Sequence, residues 1–333
     1  MNTKEKVEHC KKLQADYLHL RANGNIKESI DIEKKYLVLR TEVINSVDEE
    51  ICIRKSITLD VLHKNFKNKP KPIIYETGIR TLDMELVTDI QHMRGSIGGF
   101  SLGNFIQIAG AKGAGKSSLI IKMLSGFSNH QKVSWFNFEM GEDKVFPLVD
   151  NFKHIKKNLF YYDGKRELDD IVNEIKYLYQ DGVRHFLIDS MMKINAKGYK
   201  RGYESFSYIS STLSALTSQL GINIYLINQV SQDSEKGGGL HMKHGNDAEY
   251  DSDYIFFLVK PYLTDINNKI VTDNDGMSVF DENRRVLHCT KNRDTHRLFK
   301  VDIIKSDIFG NSQNFTTHGN IPVEVTPYEM GTI

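Results

Sequence analysis

Gly110, Ala111, Lys112, Gly113, Ala114, Gly115, Lys116 and Ser117 follow the spacing glycine, four residues, then Gly-Lys-Ser. That spacing makes a phosphate cradle, in which loop amides point at an anion. The residues before it, Phe105-Ile-Gln-Ile-Ala109, read as a buried strand, and Ser118-Leu-Ile-Ile-Lys-Met-Leu124 reads as a helix. Strand, glycine loop and helix N-terminus are the setting that such a cradle needs. Lys116 would reach the β- and γ-phosphates, Ser117 would hold Mg²⁺, and Ser118 opens the helix beside them. The spacing therefore predicts a nucleoside triphosphate, ATP with Mg²⁺, as the ligand.

Other polar residues stand where apolar runs stop. Ligands of open α/β sheets sit beyond the carboxyl ends of the strands. Asp189 ends the run His185-Phe-Leu-Ile188, a place where a carboxylate supports the metal. Glu139 follows Val133–Phe138 and could act as general base toward water. Its position alone fits a surface carboxylate equally well. Gln229 ends Ile222–Asn228, where an amide can donate to a γ-phosphate, although a polar loop residue fits too. Lys291 and Arg293 follow Arg285–His288 and are two apart, so on a strand they point the same way. Position alone makes them a solvated basic edge; an arginine finger supplied to a neighbouring subunit is the alternative.

These residues need a scaffold. From Ile73 onward strands alternate with helices, which predicts an α/β fold with a mostly parallel sheet flanked by helices. The last apolar runs lack helices between them and predict an antiparallel edge. Residues 1–66 look helical and charged, with Asn23-Gly24-Asn25 as a turn and candidate stripes at Leu13, Tyr17 and Leu20 and at Ile30, Ile32, Tyr36, Leu37 and Leu39. The Lys67–Pro72 segment breaks any helix and marks the boundary. Three parts result: a helical segment with a linker helix over 1–66, an ATPase core over 73–305, and an extension over 306–333. No internal repeat is evident.

The net charge of +1 offers no global field for a polyanion, so any such site must be local. No apolar run approaches a membrane span, and no signal-peptide core is present. Cys10, Cys52 and Cys289 form no pair with metal or disulfide spacing. This predicts a reducing cytoplasm and no membrane partner.

The ordered set of motifs resembles the ATPase domain of DnaB-like replicative helicases, a hexameric branch of the RecA-like superfamily. The resemblance rests on Glu76–Asp83, Gly98–Gly103, the phosphate loop, Trp135–Met140, Asp189, Ile227–Val230, Asn246–Asp253 and Lys291-Asn-Arg293. It spans roughly residues 73–305. It implies that Glu139 is the catalytic base, Asp189 the metal-supporting carboxylate, Gln229 the γ-phosphate sensor, and Lys291 and Arg293 a pair acting in trans. It further implies a homo-oligomer, a hexameric ring on single-stranded DNA, with 5′→3′ polarity and a primase or helicase loader as partner. The setting would be a phage or plasmid replicon in a bacterial cytoplasm. The chain departs from the family in a longer Leu86–Arg94 stretch, in Ser-Met-Met after Asp189, and in having no full N-terminal domain.

Two loops would line the channel. Met192–Tyr203 holds the cations Lys193, Lys197, Lys200 and Arg201, two tyrosines, two glycines and no acid, a composition that suits phosphate pairing with some stacking. Ser234–Gly245 is glycine-rich and brings Lys236, Gly238 and Lys243. A RecA- or KaiC-like ATPase that assembles on DNA without unwinding fits the same residues, through Asp189-Ser190 and Ile227-Asn-Gln229.

Overall fold

A continuous apolar run suits a strand covered on both faces. In the computed structural model, β1 (Phe105–Gly110) meets that condition: all six of its residues are buried. The structure describes residues 2–52, 58–68, 72–87, 98–129, 131–150, 157–231, 240–243, 246–307 and 313–317. The strands are β1, β2 (Lys132–Asn137), β3 (Leu159–Tyr162), β4 (Val183–Asp189), β5 (Asn223–Gln229), β6 (Tyr254–Val259), β7 (Arg284–Asn292), β8 (Phe299–Asp307) and β9 (Gln313–Thr317). They form one nine-stranded sheet in the order β3-β2-β4-β5-β1-β6-β7-β8-β9. From β3 to β6 every pairing is parallel, and from β6 to β9 every pairing is antiparallel. The expected antiparallel edge is present and runs one strand further, because β9 lies inside the segment read as an extension.

Alternate residues of the strands feed two cores. Ile106, Ile108, Trp135, Leu187, Tyr225 and Phe256 pack toward α5 (Lys116–Phe127). Phe105, Phe136, Phe186, Ile188, Ile224 and Leu226 pack toward α7 (Leu168–Gln180) and α8 (Tyr203–Leu220). Behind the phosphate-loop helix, Phe127 stacks on His185 with centroids 4.3 Å apart. Burial pushes that imidazole down to about 3, so it stays a neutral aromatic.

The other helices among the described residues are α1 (Thr3–Ala22), α2 (Ile26–Cys52), α3 (Leu59–Asn68), α4 (Arg80–Glu85), α6 (Glu142–Asp150) and α9 (Asn246–Asp251). Helix α1 starts with a capping box between Asn2 and Glu5. The turn at Asn23–Asn25 is where the sequence puts it. The stripe is not: Val7, Cys10, Leu13, Val43, Ile44 and Val47 are buried, while Ile30 and Leu37 are exposed. The buried set joins the α7–α8 core of the same chain. Ion pairs flank it, Lys176–Asp48 at 2.5 Å, Lys11–Asp181 at 2.5 Å and Arg40–Glu174. A hairpin that spends its apolar face in this way is part of the core it covers.

Between β6 and β7 the chain makes an exposed excursion, and here the expectation of no repeat is overturned. Tyr262–Lys269, Ile270–Met277 and Ser278–Arg285 are three octapeptides with Asp at the fourth place: Asp265, Asp273 and Asp281. Each aspartate accepts from its own backbone through Oδ1: Asp265 from Asn267 and Lys269, Asp273 from Asp275 and Met277, Asp281 from Asn283. The backbone closes a cycle: Leu263 N–H donates to Val279, Val271 to Leu263, and Val279 to Val271, at 2.8, 2.8 and 2.9 Å. The repeat escapes a reading by hydrophobic period because its fixed element is a turn-forming aspartate.

Val47 is fully buried in the shared core, so Val47→Asp should destabilise the whole chain by about 3 kcal/mol or more, through an unpaired buried carboxylate. Circular-dichroism melting should show one cooperative transition at lower temperature. A separate early transition would instead make the hairpin an independent unit.

Candidate active site

Parallel register decides which residues meet. Gly110 lies beside Gln229 of β5 and Leu258 of β6, and Asn137 lies beside Asp189. The order β2-β4-β5-β1 therefore lines up Glu139, Asp189, Gln229 and the phosphate loop along one edge of the sheet. A Cβ on Gly110 would come within 2.7 Å of the Leu258 carbonyl oxygen, so the loop can start this close to β6 only as glycine. Gly115 has φ 97° and precedes α5 without any side-chain cap. The helix N-terminus therefore faces the loop with no side chain competing for its amides.

Lys116 folds back on the loop and donates from Nζ to the carbonyls of Gly110 at 2.7 Å and Ala111 at 3.0 Å. Ser117 Oγ donates to Asp189 Oδ2 at 2.6 Å. The other oxygen, Oδ1, is buried with no hydrogen-bond partner. Burial pushes the Asp189 carboxyl up to about 6, with Glu139 adding to the rise and Ser117 and Lys116 opposing it. A buried carboxylate oxygen left unpaired is costly, and a cation would satisfy it. Ser117 and Asp189 thus fit Mg²⁺. Among the described residues no cluster of three or more His, Cys, Asp or Glu could cage a metal. That suits an ion bound mainly through ligand phosphates.

Next to Asp189, Ser190 Oγ donates to Glu139 Oε1 at 2.5 Å. Glu139 itself is exposed and faces solvent at the rim. Its turn is built by Asn137, whose Oδ1 accepts from the N–H groups of Glu139 and Met140 and whose Nδ2 donates to Met140 O and Tyr161 OH. Ser117, Asp189, Ser190 and Glu139 form an unbroken line across three elements.

Gln229 anchors the second loop. Lys243 N–H donates to the Gln229 carbonyl at 2.8 Å, Ser231 N–H donates to His241 O at 2.8 Å, and Val230 bridges Met242. Lys236 and Gly238 lie outside the described residues. The first loop leaves Asp189 through a short turn, Met191–Lys193, and carries Lys193, Lys197, Lys200 and Arg201 exposed. Arg201 donates to the Met192 carbonyl, and Tyr199 stacks on Tyr208 at 4.7 Å. Both loops rise from the edge that holds the phosphate loop.

Lys291 and Arg293 do not join this site. Both donate to the Tyr250 carbonyl, and Arg293 pairs with Asp253 at 3.2 Å. Desolvation lowers the Lys291 pKa, with Arg293 adding to it. Asp253 bonds the N–H of Phe105, where β1 begins, whereas the phosphate loop starts where β1 ends. Five residue steps of strand separate the two edges, about 17 Å.

The sequence reading missed Asn137, Ser190 and Arg285. Asn137 had a signal, a polar residue two before a candidate base. Arg285 had none, since it reads as one more residue of a strand.

No family model matches the sequence, and no curated protein matches it. Solved structures do match its fold. A DnaB-like replicative helicase, described with its interactions with primase, is 17% identical, with a TM-score of 0.60 over 88% of this chain and 79% of that one. The ATPase domain of a phage helicase is 17% identical, with a TM-score of 0.59 over 80% of this chain and all of that one. A KaiC-like protein from the hyperthermophilic archaeon Pyrococcus horikoshii is 15% identical, with a TM-score of 0.52 over 74% of this chain and all of that one. The class defined by fold and edge residues is the RecA-like P-loop fold, and its DnaB-like form is among the structures this chain resembles.

Asp189 sets a pH dependence. Its folded pKa, about 6, lies above the ordinary 3.8. Its contribution to the stability of the ligand-free protein is therefore full below the ordinary value and lost as pH rises through about 6. Asp83 is also raised to about 6, so the comparison must be with a variant. Asp189→Asn should raise the melting temperature of nucleotide-free protein at neutral pH and remove the Mg²⁺ dependence of nucleotide binding. In the parent, Mg²⁺ affinity should fall about tenfold per pH unit below pH 6, as read by titration calorimetry.

Proposed function

We propose that the chain is an ATP-driven DNA helicase of the DnaB type, working as a ring of identical subunits on single-stranded DNA in the cytoplasm. The observation that carries this reading is the split of the site. Glu139, Asp189, Gln229 and the phosphate loop share one edge of the sheet, while Lys291 and Arg293 sit at the other. A cation pair about 17 Å from its own cradle can complete a phosphoryl-transfer site only in a neighbour. Lys116 and the loop amides would hold the phosphates, Ser117 and Asp189 would support Mg²⁺, and Glu139, oriented by Ser190, would take a proton from the attacking water. The metal would polarise the γ-phosphate and offset its charge. Gln229 would sense the γ-phosphate, and because it holds the root of the second loop, that sensing would reach the DNA. Lys193, Lys197, Lys200, Arg201, Lys236, Gly238 and Lys243 are the proposed DNA contacts. A ring gathers such small patches into one channel despite near-neutral net charge. The interaction with primase described for one similar structure suggests a primase or loader partner here, and the 5′→3′ direction is proposed with it.

The likeness to a KaiC-like protein supports a second reading, an ATPase that assembles without unwinding. Strand displacement on a forked duplex separates the two. Turnover stimulated by single strands but without displacement would sink the helicase.

Glu139→Gln should keep nucleotide binding and lose hydrolysis by about 10²- to 10⁴-fold in kcat. Mixing Arg293→Ala with Lys116→Ala subunits should restore part of the turnover that each lacks alone, because one intact composite site re-forms. Steady-state ATPase assays across mixing ratios check this, and strict additivity of the two losses would exclude action in trans.

A further inference from the structure

Arg285 is the second residue of β7, is only 2% exposed, and is among the largest fully buried side chains. Its Nε donates to the carbonyl of Ala114, inside the phosphate loop, at 2.8 Å. Its Nη1 donates to the carbonyls of Arg284, Glu282 and Asp281 at 2.7, 3.0 and 3.1 Å. Burial lowers its pKa, and Glu282 and Asp281 oppose that. A guanidinium stays charged in such a place and offers a planar fork that one ammonium cannot copy. Burying it is expensive, and the carbonyls that receive it are not countercharges. A hydrophobic residue would serve a strand better. What the arginine adds is a fixed position for one peptide of the loop.

Ala114 is 3% exposed and lies between Gly113 and Gly115, at φ 77° and 97°. Two left-handed glycines leave the peptides around them free to turn over. In a trans peptide the C=O and the next N–H point opposite ways. Holding the Ala114 carbonyl toward β7 therefore turns the Gly115 N–H away from β7, into the loop.

We propose that Arg285 is a positioning residue for the phosphate cradle, fixing the Ala114–Gly115 peptide so that the Gly115 N–H faces the bound phosphates. This rests on the nucleotide reading above. It also makes the seating of β7 part of the affinity for nucleotide: the strand that begins at this staple ends at Lys291 and Arg293.

The test is equilibrium titration of the full chain with a fluorescent ADP and Mg²⁺, comparing the parent with Arg285→Lys and Arg285→Met, beside thermal melting of each without nucleotide. The proposal expects roughly 5- to 20-fold weaker binding in both variants, with no rescue by lysine, which cannot span Ala114 and the three strand carbonyls together. A folded variant that binds within twofold of the parent overturns it, even with a lowered melting temperature, because that is the mark of a purely structural arginine. Should the methionine variant fail to fold, the lysine variant, which keeps charge and most of the volume, decides by the same threshold. A parent that does not bind ADP at all overturns the nucleotide reading itself, an outcome distinct from a binding parent with unaffected variants.

Discussion

The parallel seating of β1 between β5 and β6 is the constraint on which the rest of the molecule depends. A strand buried on both faces has no freedom of register, because a slip of one residue would exchange its two cores. Ile106 and Ile108 go to one side and Phe105 to the other. Once that is fixed, Gly110 must end beside Gln229 and Leu258. The cradle, the sensor and the metal carboxylate then come side by side because the strands run the same way, and no side chain has to search for another. The antiparallel strands have the opposite effect. Since β7 runs against β6, the cations at its end are carried away from the cradle.

The energetics at the carboxyl edge are incomplete without a ligand. Asp189 is buried, bonded on one oxygen and unpaired on the other. Lys116 is occupied by carbonyls of its own loop. Both would improve on exchanging these contacts for an anion and a cation, which is the thermodynamic form of a binding site. The order of that site is kept by neutral groups, Asn137 under the Glu139 turn and Ser190 against its carboxylate.

Much of this was legible in the sequence. Gly110–Ser117 announced its own geometry, since glycine spacing encodes backbone shape directly. Asp189 and Gln229 were legible as polar residues ending apolar runs, and the structure puts both at strand ends on one edge. What stayed hidden has a common cause. Arg285 acts through backbone carbonyls, which leave no trace in a pattern of residue types. The hairpin α1–α2 misled because several apolar residues share a helix, and only the partner surface decides which stripe is buried: Val43 and Val47 won over Ile30 and Leu37. The octapeptides were passed over because a search for alternating polarity does not weigh an aspartate repeated every eight residues.

Those octapeptides stand on their own backbone. Ile266 is fully exposed at the tip of the first, and Met277 is largely exposed near the end of the second. Nothing in either core presses on them, so their outward side chains are free of the packing rules that govern the sheet a few residues away. Such a segment suits the experimenter as a handle: a dye or spin label at position 266 would ride on a stiff, self-bonded mount one short excursion from the phosphate loop. Cys10 and Cys289 are both buried and would compete poorly for the reagent.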